Sequence, residues 1–197
     1  MNDIAALDEV LIAIQDLARD RSPVLVALDG RCASGKTTLA NGLAARFGWD
    51  VVHLDDFFLR PEQRTPERYA APGENVDHER FLEEVLLPLR VGKKAVFHPF
   101  DCGAMQLSSE VKAVGGAPVA LIEGAYACHS ALWQYYDLRV FLTADREEQI
   151  RRITQRNGSE RLTAFLEKWI PLEERYFAAY DVARRCDFRL AAGDLQP

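Results

Sequence analysis

The sequence has little of what builds disulfide frameworks or metal clusters. Its four cysteines are far apart in the sequence and form no C-x-x-C pair. They are Cys32, Cys102, Cys128 and Cys186. Scattered cysteines of this kind are typical neither of a zinc site nor of a small secreted domain held by disulfides. No His–Cys cluster supports metal binding either. We therefore expect a protein of a reducing compartment, and the cytoplasm is the simplest choice.

Long hydrophobic runs and an excess of positive charge are also missing. No apolar run approaches the length of a transmembrane helix, and the first residues include Asp3, Asp8 and Glu9 in place of the basic start of a signal peptide. The formal net charge of −6 gives no overall electrostatic reason to bind nucleic acid or an anionic membrane. The sequence thus predicts neither a membrane protein nor a nucleic-acid binder.

What the chain does have is alternating secondary-structure patterns. Its 197 residues with 48% hydrophobic content suit one compact domain. Apolar residues at helical spacing predict a helix over 3–19 and a second one that ends at Gly48. Short apolar runs predict buried strands at 24–29, 51–54, 119–124, 138–143 and 187–190. This alternation predicts an α/β fold with a parallel sheet, and residues 93–100 and 109–114 are expected to pair as a hairpin lobe over it.

The strongest motif is "GRCASGKT" at residues 30–37, which follows a predicted strand and precedes a predicted helix. It matches G-x-x-x-x-G-K-[ST], in which backbone N–H groups and a lysine hold phosphates and the hydroxyl holds magnesium. The sequence therefore predicts a P-loop NTPase fold, three αβα layers around about five parallel strands, that binds ATP or GTP. The expected nucleotide-binding residues are Gly30, Arg31, Cys32, Ala33, Ser34, Gly35, Lys36, Thr37 and Thr38.

Acidic residues follow two other predicted strands. Asp55 and Asp56 come after the run 51–54, and Glu123 ends the run 119–124. The carboxyl ends of parallel strands are where ligands sit in open α/β sheets. One aspartate could there take a proton from an attacking hydroxyl, and the acids, with Thr37, could bind magnesium. The alternative is that they are ordinary turn residues after strands.

A further predicted helix carries arginines suited to a lid. Asp145 with Glu148 resembles a capping box and Gly158 a terminator, which predicts a helix over 146–156. Arg152 and Arg156 then share one face and could clamp a transferring phosphoryl group. The alternative is pairing with nearby glutamates in solvent. The later run "WIPLEERYFAAY" is interpreted as a helix packed on the sheet, with Trp169, Leu172, Tyr176 and Tyr180 facing inward.

The order of these motifs resembles the phosphate-loop kinases of the uridine kinase, phosphoribulokinase and pantothenate kinase group. The resemblance rests on "GRCASGKTT", "HLDDFF", "NVDHERF", "IEG" and "REEQIRRITQRNG" and spans most of the chain. It implies catalytic roles for Lys36, Asp55, Arg152 and Arg156, and metal binding by Thr37, Asp55 and Glu123. The substrate-binding residues that we expect are Asp56, Arg64, Asp77, His78, Phe100 and Asp101.

Some residues depart from that pattern or have simpler explanations. Phe100 stands where uridine kinases usually have tyrosine, and Arg31-Cys32 where Gly-Ser is commoner. Asp77 directly precedes a helical run and could be only its N-cap. Three arginines follow the predicted acids, at Arg60, Arg64 and Arg68. They could recognise an anionic acceptor, or they could simply pair with Glu62 and Glu67 in solvent.

The sequence as a whole favours an ATP- and magnesium-dependent kinase of a small molecule, with a nucleoside as the preferred acceptor. Kinases of anionic acceptors, and a regulatory ATPase switch, remain the alternatives. We expect a single domain over 1–197, an acceptor-side insertion at about 56–117 and a lid at about 151–165. Assembly into a homo-oligomer is left open.

Overall fold

The computed structural model describes residues 6–194. The strands of this part of the chain are β1 Val24–Gly30, β2 Asp50–His53, β3 Ala95–Phe97, β4 Phe100–Asp101, β5 Gln106–Leu107, β6 Lys112–Val114, β7 Val119–Glu123, β8 Leu138–Thr143 and β9 Phe188–Ala191. Its α-helices are α1 Leu7–Asp20, α2 Lys36–Phe47, α3 Pro66–Ala70, α4 His78–Phe81, α5 Leu87–Arg90, α6 Arg146–Asn157, α7 Ser159–Ala164, α8 Ile170–Tyr180 and α9 Val182–Arg185. Wider helical turns at Leu82–Leu86 and Phe165–Trp169 join α4 to α5 and α7 to α8.

A five-stranded parallel sheet forms the centre of the molecule. Its strand order is β2-β7-β1-β8-β9, so β1 lies in the middle, between β7 and β8. Helices cover both faces, which confirms the predicted α/β fold with three αβα layers. Each of the predicted buried runs forms one of these strands, within a residue or two at either end.

The side chains of β1 explain why the sheet is covered on both sides. Successive side chains of a strand point to opposite faces. Val24, Val26 and Leu28 pack in one core cluster with α1 and α2, whereas Leu25 and Ala27 pack in the cluster on the other face. Burying a side chain such as Leu28 stabilises the fold by about 1.5–3 kcal/mol. A strand that is apolar on both faces therefore fits only the middle of a layered fold.

The predicted helices and hairpin lobe are present. In the described part of the 3–19 prediction, α1 buries Val10, Leu11 and Ile14; residues 3–5 lie outside the described residues. Strands β3 and β6 pair antiparallel, which confirms the hairpin lobe, and a second short pair, β4 with β5, adjoins it. Among the described helices, none combines the length and the apolar character needed to cross a membrane.

Candidate active site

A cavity of about 820 Å³ lies where β1, β2 and β7 end and where α6 and α8 approach the sheet. Residues from several separate parts of the chain therefore meet in one place. The predicted site residues that line it are Cys32, Ala33, Gly35, Lys36, Thr37, Thr38, Asp55, Glu123, Arg152 and Arg156. Of the predicted nucleotide-binding residues, Gly30, Arg31 and Ser34 are not part of this wall.

Residues 30–37 form the loop between β1 and α2, and we call it the phosphate loop. Gly35 immediately precedes α2, so the backbone N–H groups at the start of this helix border the cavity. Gly30 begins the loop with φ of +136°, and a Cβ there would lie 2.0 Å from the carbonyl oxygen of Leu142. A side chain at position 30 would force β1 and β8 apart. The first glycine of the motif thus serves the close packing of the sheet.

The ammonium group of Lys36 lies over the phosphate loop. Its Nζ donates to the carbonyl oxygens of Gly30 and Arg31, at 2.7 and 2.9 Å. The residue is only 8% exposed, yet it lines the cavity. A third N–H remains for an anion, and a positive charge in such a crowded site attracts phosphate more strongly than it would in water. The position therefore suits the binding of a phosphoryl group.

Glu123, the last residue of β7, connects the phosphate loop to β2. Its Oε2 accepts from the hydroxyl of Thr37 at 3.1 Å, and its Oε1 lies 2.5 Å from Nδ1 of His53. The parallel register places His53 directly beside Glu123, which explains the second contact. The hydrogen bond with Glu123 raises the pKa of His53, because the carboxylate favours the protonated imidazole.

Asp55 lies beside these groups, in the short helical turn that follows β2. Its side chain lines the cavity. Desolvation by the surrounding protein raises the pKa of its carboxyl, and repulsion from Glu123 raises this pKa further. Two carboxylates and the Thr37 hydroxyl are oxygen donors of the kind that Mg²⁺ prefers. A divalent cation would also relieve the repulsion between Asp55 and Glu123. The residues present therefore fit a magnesium ion.

The neighbouring Asp56 has different contacts. Its two carboxylate oxygens accept from the ammonium of Lys112 at 2.9 and 3.1 Å, and Lys112 belongs to the hairpin lobe. Asp56 is not part of the cavity wall. The adjacent aspartates thus differ in environment: Asp55 faces the cavity, and Asp56 binds the hairpin lobe to the end of β2.

Two arginines of α6 reach the cavity. This helix is capped by Asp145, whose carboxylate accepts from the backbone N–H of Glu148, and it ends before Gly158, as predicted. Arg152 donates to Glu148 at 2.5 Å and to the carbonyl oxygen of Ala33 at 3.3 Å, so it bridges α6 and the phosphate loop. Arg156 also lines the cavity, although its Nε donates to Asn157. The two guanidiniums lie on one side of the cavity, as their spacing predicts.

Two adjacent glutamates of α8 hold the phosphate loop, and sequence reasoning missed both. Glu173 accepts the backbone N–H of Cys32 at 2.8 Å, and Glu174 accepts from the Arg31 guanidinium at 2.6 and 3.0 Å. Burial raises the pKa of Glu173 to about 7, an effect partly offset by Lys36. The unusual Arg31-Cys32 pair in the motif is the sequence feature that could have pointed to these glutamates, because Arg31 contacts Glu174 and Cys32 contacts Glu173.

Asp29 is a third residue that sequence reasoning missed. It is fully buried at the end of β1, where its oxygens accept from the backbone N–H groups of Gly30 and Cys128 and from the hydroxyl of Tyr176. Burial raises the pKa of this carboxyl. These bonds join the start of the phosphate loop to the loop after β7 and to α8. Tyr176 is thus a packed residue of α8, as the sequence predicts.

The remaining substrate-side predictions do not meet in the cavity. Asp77 is 1% exposed and accepts the backbone N–H of Arg80 at 3.1 Å, so it caps α4, which is the alternative interpretation of this residue. His78 is half-buried with its Nε2 3.1 Å from Glu74. Arg64 donates to the carbonyl oxygen of Leu59.

Phe100 and Asp101 support the fold of the lobe beside the cavity. The ring of Phe100 is buried, and the Arg64 guanidinium lies over it, with its central carbon 5.4 Å from the ring centre. Asp101 accepts the backbone N–H groups of Gly103 and Ala104, which stabilises the turn between β4 and β5. In this conformation neither side chain lines the cavity.

Other residues complete the wall of the cavity. Asn75 is 8% exposed and borders the cavity together with the rings of Phe58, Tyr126 and Trp169. An amide beside aromatic rings can hold a ligand that has both a flat ring and hydrogen-bonding groups. Trp169 therefore lines the cavity, although the sequence interpretation treats it as a packing residue only.

Comparison with known proteins shows similarity to kinases. No family model matches the chain. It is 26% identical to the uridine kinase of Ureaplasma parvum serovar 3 over 155 residues, which is 74% of each chain. It is 28% identical to the uridine kinase of Ligilactobacillus salivarius over 153 residues, 73% of this chain and 70% of the relative.

Solved structures share the fold at lower identity. One is described as a possible uridine kinase from Bacillus stearothermophilus, with a TM-score of 0.63, 20% identity, and coverage of 92% of this chain and 99% of that one. Another is a D-glycerate 3-kinase from Cryptococcus neoformans, with a TM-score of 0.64, 17% identity and coverage of 94% of each chain.

The sequence similarity and the shared fold agree with the motifs that surround the cavity. The phosphate loop, the acids at the strand ends and the arginine-bearing helix occur in the predicted order along one sheet. The chain therefore resembles the uridine kinase-like P-loop kinases in sequence, in fold and in the order of its motifs.

Proposed function

We propose that this kinase transfers the γ-phosphoryl group of ATP to a hydroxyl of a nucleoside, with magnesium. The observation that carries the proposal is the meeting of Lys36, Thr37, Asp55 and Arg152 in one cavity. Phosphoryl transfer needs little covalent chemistry from a protein, but it needs positive charge around the phosphates and a group that takes the proton of the attacking hydroxyl. This cavity offers both.

In the proposed reaction Asp55 accepts the proton of the acceptor hydroxyl. The hydroxyl oxygen forms a bond to the γ-phosphorus, the bond to the bridging oxygen breaks, and its electron pair leaves with ADP. The raised pKa of Asp55 suits this role, because a carboxylate with a higher pKa is a stronger base. Lys36 and Arg152 would neutralise charge on the transferring group.

Thr37 and Glu123 are the residues that we expect to hold magnesium, with Asp55 close by. A bound magnesium ion would neutralise phosphate charge and fix the phosphate orientation. The bond between Glu123 and His53 would keep the glutamate in place as it contributes oxygen to the metal. Lys36 and the N–H groups of the phosphate loop would bind the phosphates themselves.

Two observations favour a nucleoside as the acceptor. Relatives found by sequence similarity are named uridine kinases. In addition, the rings of Phe58 and Tyr126 and the amide of Asn75 line the same cavity as Asp55, where they could stack on a base and bind its polar edge. Asp77 could contact ribose hydroxyls only if its carboxylate left the α4 cap.

A kinase of an anionic acceptor is the second candidate, because a D-glycerate 3-kinase shares the fold. The arginines that raised this alternative have partners elsewhere. The Arg60 guanidinium lies 3.4 Å from the carboxylate of Asp77. Arg64 donates to the carbonyl oxygen of Leu59, and Arg68 donates to the carboxylate of Glu79 at 2.6 Å. Their guanidiniums are engaged by partners within residues 59–79, so this geometry supports a neutral acceptor better.

A coupled assay of ADP release tests the proposal. The panel is uridine, deoxyuridine, uridine monophosphate, ribulose 5-phosphate, pantothenate and D-glycerate, each with ATP and magnesium. We expect a nucleoside to give the highest kcat/KM. Stimulation by the anionic compounds alone would overturn the nucleoside assignment. Slow ATP hydrolysis that no hydroxyl compound stimulates would favour a regulatory switch instead.

A further inference from the structure

Three side chains that can ligate metals lie together outside the cavity. Glu74 precedes α4, His78 is the first residue of α4, and His129 lies in the loop after β7. One ligand atom from each can be chosen so that all three lie within 4.8 Å of one another. The cluster therefore bridges the segment 56–117 and the body of the domain.

The distances around Glu74 resemble those between the ligands of a tetrahedral ion. Its Oε1 lies 3.1 Å from Nε2 of His78 and 3.4 Å from Nε2 of His129. When metal–nitrogen distances are about 2.0–2.1 Å, neighbouring ligand atoms of a tetrahedral site are separated by roughly 3.3–3.4 Å. The carboxylate oxygen thus already has nearly the spacing that a shared ion requires.

The buried ring of His129 gives a second, independent observation. Its side chain is 3% exposed, and its Nε2 is buried without a hydrogen bond while facing Glu74. Buried polar atoms normally have partners, so an atom left without one indicates a missing ligand. The other nitrogen, Nδ1, accepts from the backbone N–H of Ala131 at a long 3.3 Å. Ligation at Nε2 would move the ring proton to Nδ1, which gives up this long bond and turns an N–H toward the Ala131 N–H.

The surroundings of the cluster also suit a metal ion. His78 has its Nδ1 3.6 Å from Glu79, and a carboxylate beside the second nitrogen of a ligating histidine orients the ring and raises its basicity. Arg68 contacts the other oxygen of Glu74, Oε2, at 3.2 Å, which leaves Oε1 for the ion. The two imidazoles are stacked, with ring centres 4.2 Å apart and planes inclined by 16°, so one ring must turn to direct both lone pairs at one ion.

We propose that Glu74, His78 and His129 bind a divalent metal ion of the zinc class, with water as the fourth ligand. Two imidazoles and one carboxylate favour such an ion over Mg²⁺, which prefers oxygen ligands. The site shares no residue with the proposed magnesium site. It would join the segment 56–117 to the loop after β7, which carries Tyr126 of the cavity wall. The inference does not depend on the proposed function.

Cobalt(II) is a suitable probe, because tetrahedral sites with nitrogen ligands give intense visible absorption. Purified protein, freed of metal by chelation, is titrated with Co²⁺, and Zn²⁺ is then added in competition. We expect about one equivalent of Co²⁺ to produce the tetrahedral bands and Zn²⁺ to abolish them. A wild-type protein that binds Co²⁺ without such bands, or does not bind it, overturns the proposal.

Substitutions then locate the ion. His129→Asn and the half-buried His78→Asn should each lose the bands, and Zn²⁺ should no longer raise their unfolding temperature. His98→Asn is the matched control, since its imidazole is exposed and contacts Ser108. His53→Asn excludes binding beside Glu123. Bands that survive in His78→Asn and disappear in His53→Asn would place the ion in the cavity and contradict the proposal. If His129→Asn does not fold, His78→Asn decides alone.

Discussion

Glu173 accepts the backbone N–H of Cys32 at 2.8 Å, so a carboxylate of α8 contacts the loop that is expected to bind phosphate. Backbone N–H groups of such loops are the donors that cradle phosphate oxygens. An acid in this place repels a triphosphate while it is ionised, and Lys36 on the same loop attracts one. The protonation state of Glu173 should therefore influence both the stability of the protein and its affinity for ATP.

The first prediction concerns stability as a function of pH. Because burial raises the pKa of Glu173 to about 7 from 4.5, its proton stabilises the folded state below about pH 4.5, and this contribution is lost as the pH rises through 7. Glu173→Gln stays uncharged and keeps an oxygen for the Cys32 N–H. Relative to the wild type, it should gain up to about 3 kcal/mol in unfolding free energy between pH 5 and pH 8.

Urea unfolding at a series of pH values measures this difference. Glu174→Gln is the matched control, because it replaces the adjacent carboxylate, whose side chain is 43% exposed. A constant difference between Glu173→Gln and the wild type across this range would mean that Glu173 does not titrate there. The same Glu173→Gln variant should bind ATP more tightly at pH 8, as measured by calorimetry.

The second prediction concerns Lys36. Lys36→Ala should fold but lose almost all turnover, because the ammonium is expected both to bind the triphosphate and to stabilise the transferred group. Lys94→Ala, at an exposed position in the lobe, controls for the loss of a positive charge. Steady-state kinetics and circular dichroism check both variants. Wild-type turnover in folded Lys36→Ala would remove the phosphate loop from the proposed mechanism.

The third prediction separates Asp55 from Asp56. Asp55→Asn keeps the size of the side chain but removes its basicity, so kcat should fall by roughly 10²–10⁴ with a smaller change in ATP affinity. Asp56→Asn should leave kcat within about tenfold, since Asp56 pairs with Lys112 outside the cavity. The opposite ranking of the two variants would show that Asp56 is the base.

The fourth prediction concerns recognition of the acceptor. Asn75→Ala should raise the KM for the acceptor by about tenfold or more, because its buried amide borders the cavity. Asn41→Ala, on the exposed side of α2, should leave this KM unchanged.

The fifth prediction concerns Asp77. Asp77→Ala should lower stability by about 1 kcal/mol through loss of the α4 cap. Kinetics with uridine and deoxyuridine add a test of Asp77. A lost preference for the ribonucleoside in Asp77→Ala would mean that this carboxylate does reach ribose hydroxyls.

The fold could be predicted largely because its signals are local. Buried strands such as 24–29 are short apolar runs, and the glycines and lysine of the phosphate loop have a fixed spacing along the chain. The end of α6 follows from Gly158, and its start from Asp145. Each of these features depends on residues within a few positions of one another. Such features can be found without knowledge of the tertiary structure.

Much of the site could not be predicted because it depends on contacts between distant residues. Glu173 meets Cys32 only when α8 folds over β1, and nothing in "LEER" distinguishes it from a surface glutamate. His78 and His129 belong to separate elements, so no spacing rule connects them. The sequence around Asp77 fits both a residue that binds the acceptor, as the resemblance implies, and a helix N-cap. In the described conformation its burial and its bond to the backbone of Arg80 favour the N-cap.

Phosphorus NMR of a reaction that contains the protein, ATP, magnesium and uridine shows directly whether a hydroxyl of a small molecule receives the γ-phosphoryl group. We expect a new phosphomonoester resonance that grows as ATP is converted to ADP, and no such resonance with Asp55→Asn. Conversion of ATP to ADP with inorganic phosphate as the sole new phosphorus product, for uridine and for every other hydroxyl compound of the panel, would show that the protein is not a kinase of these compounds.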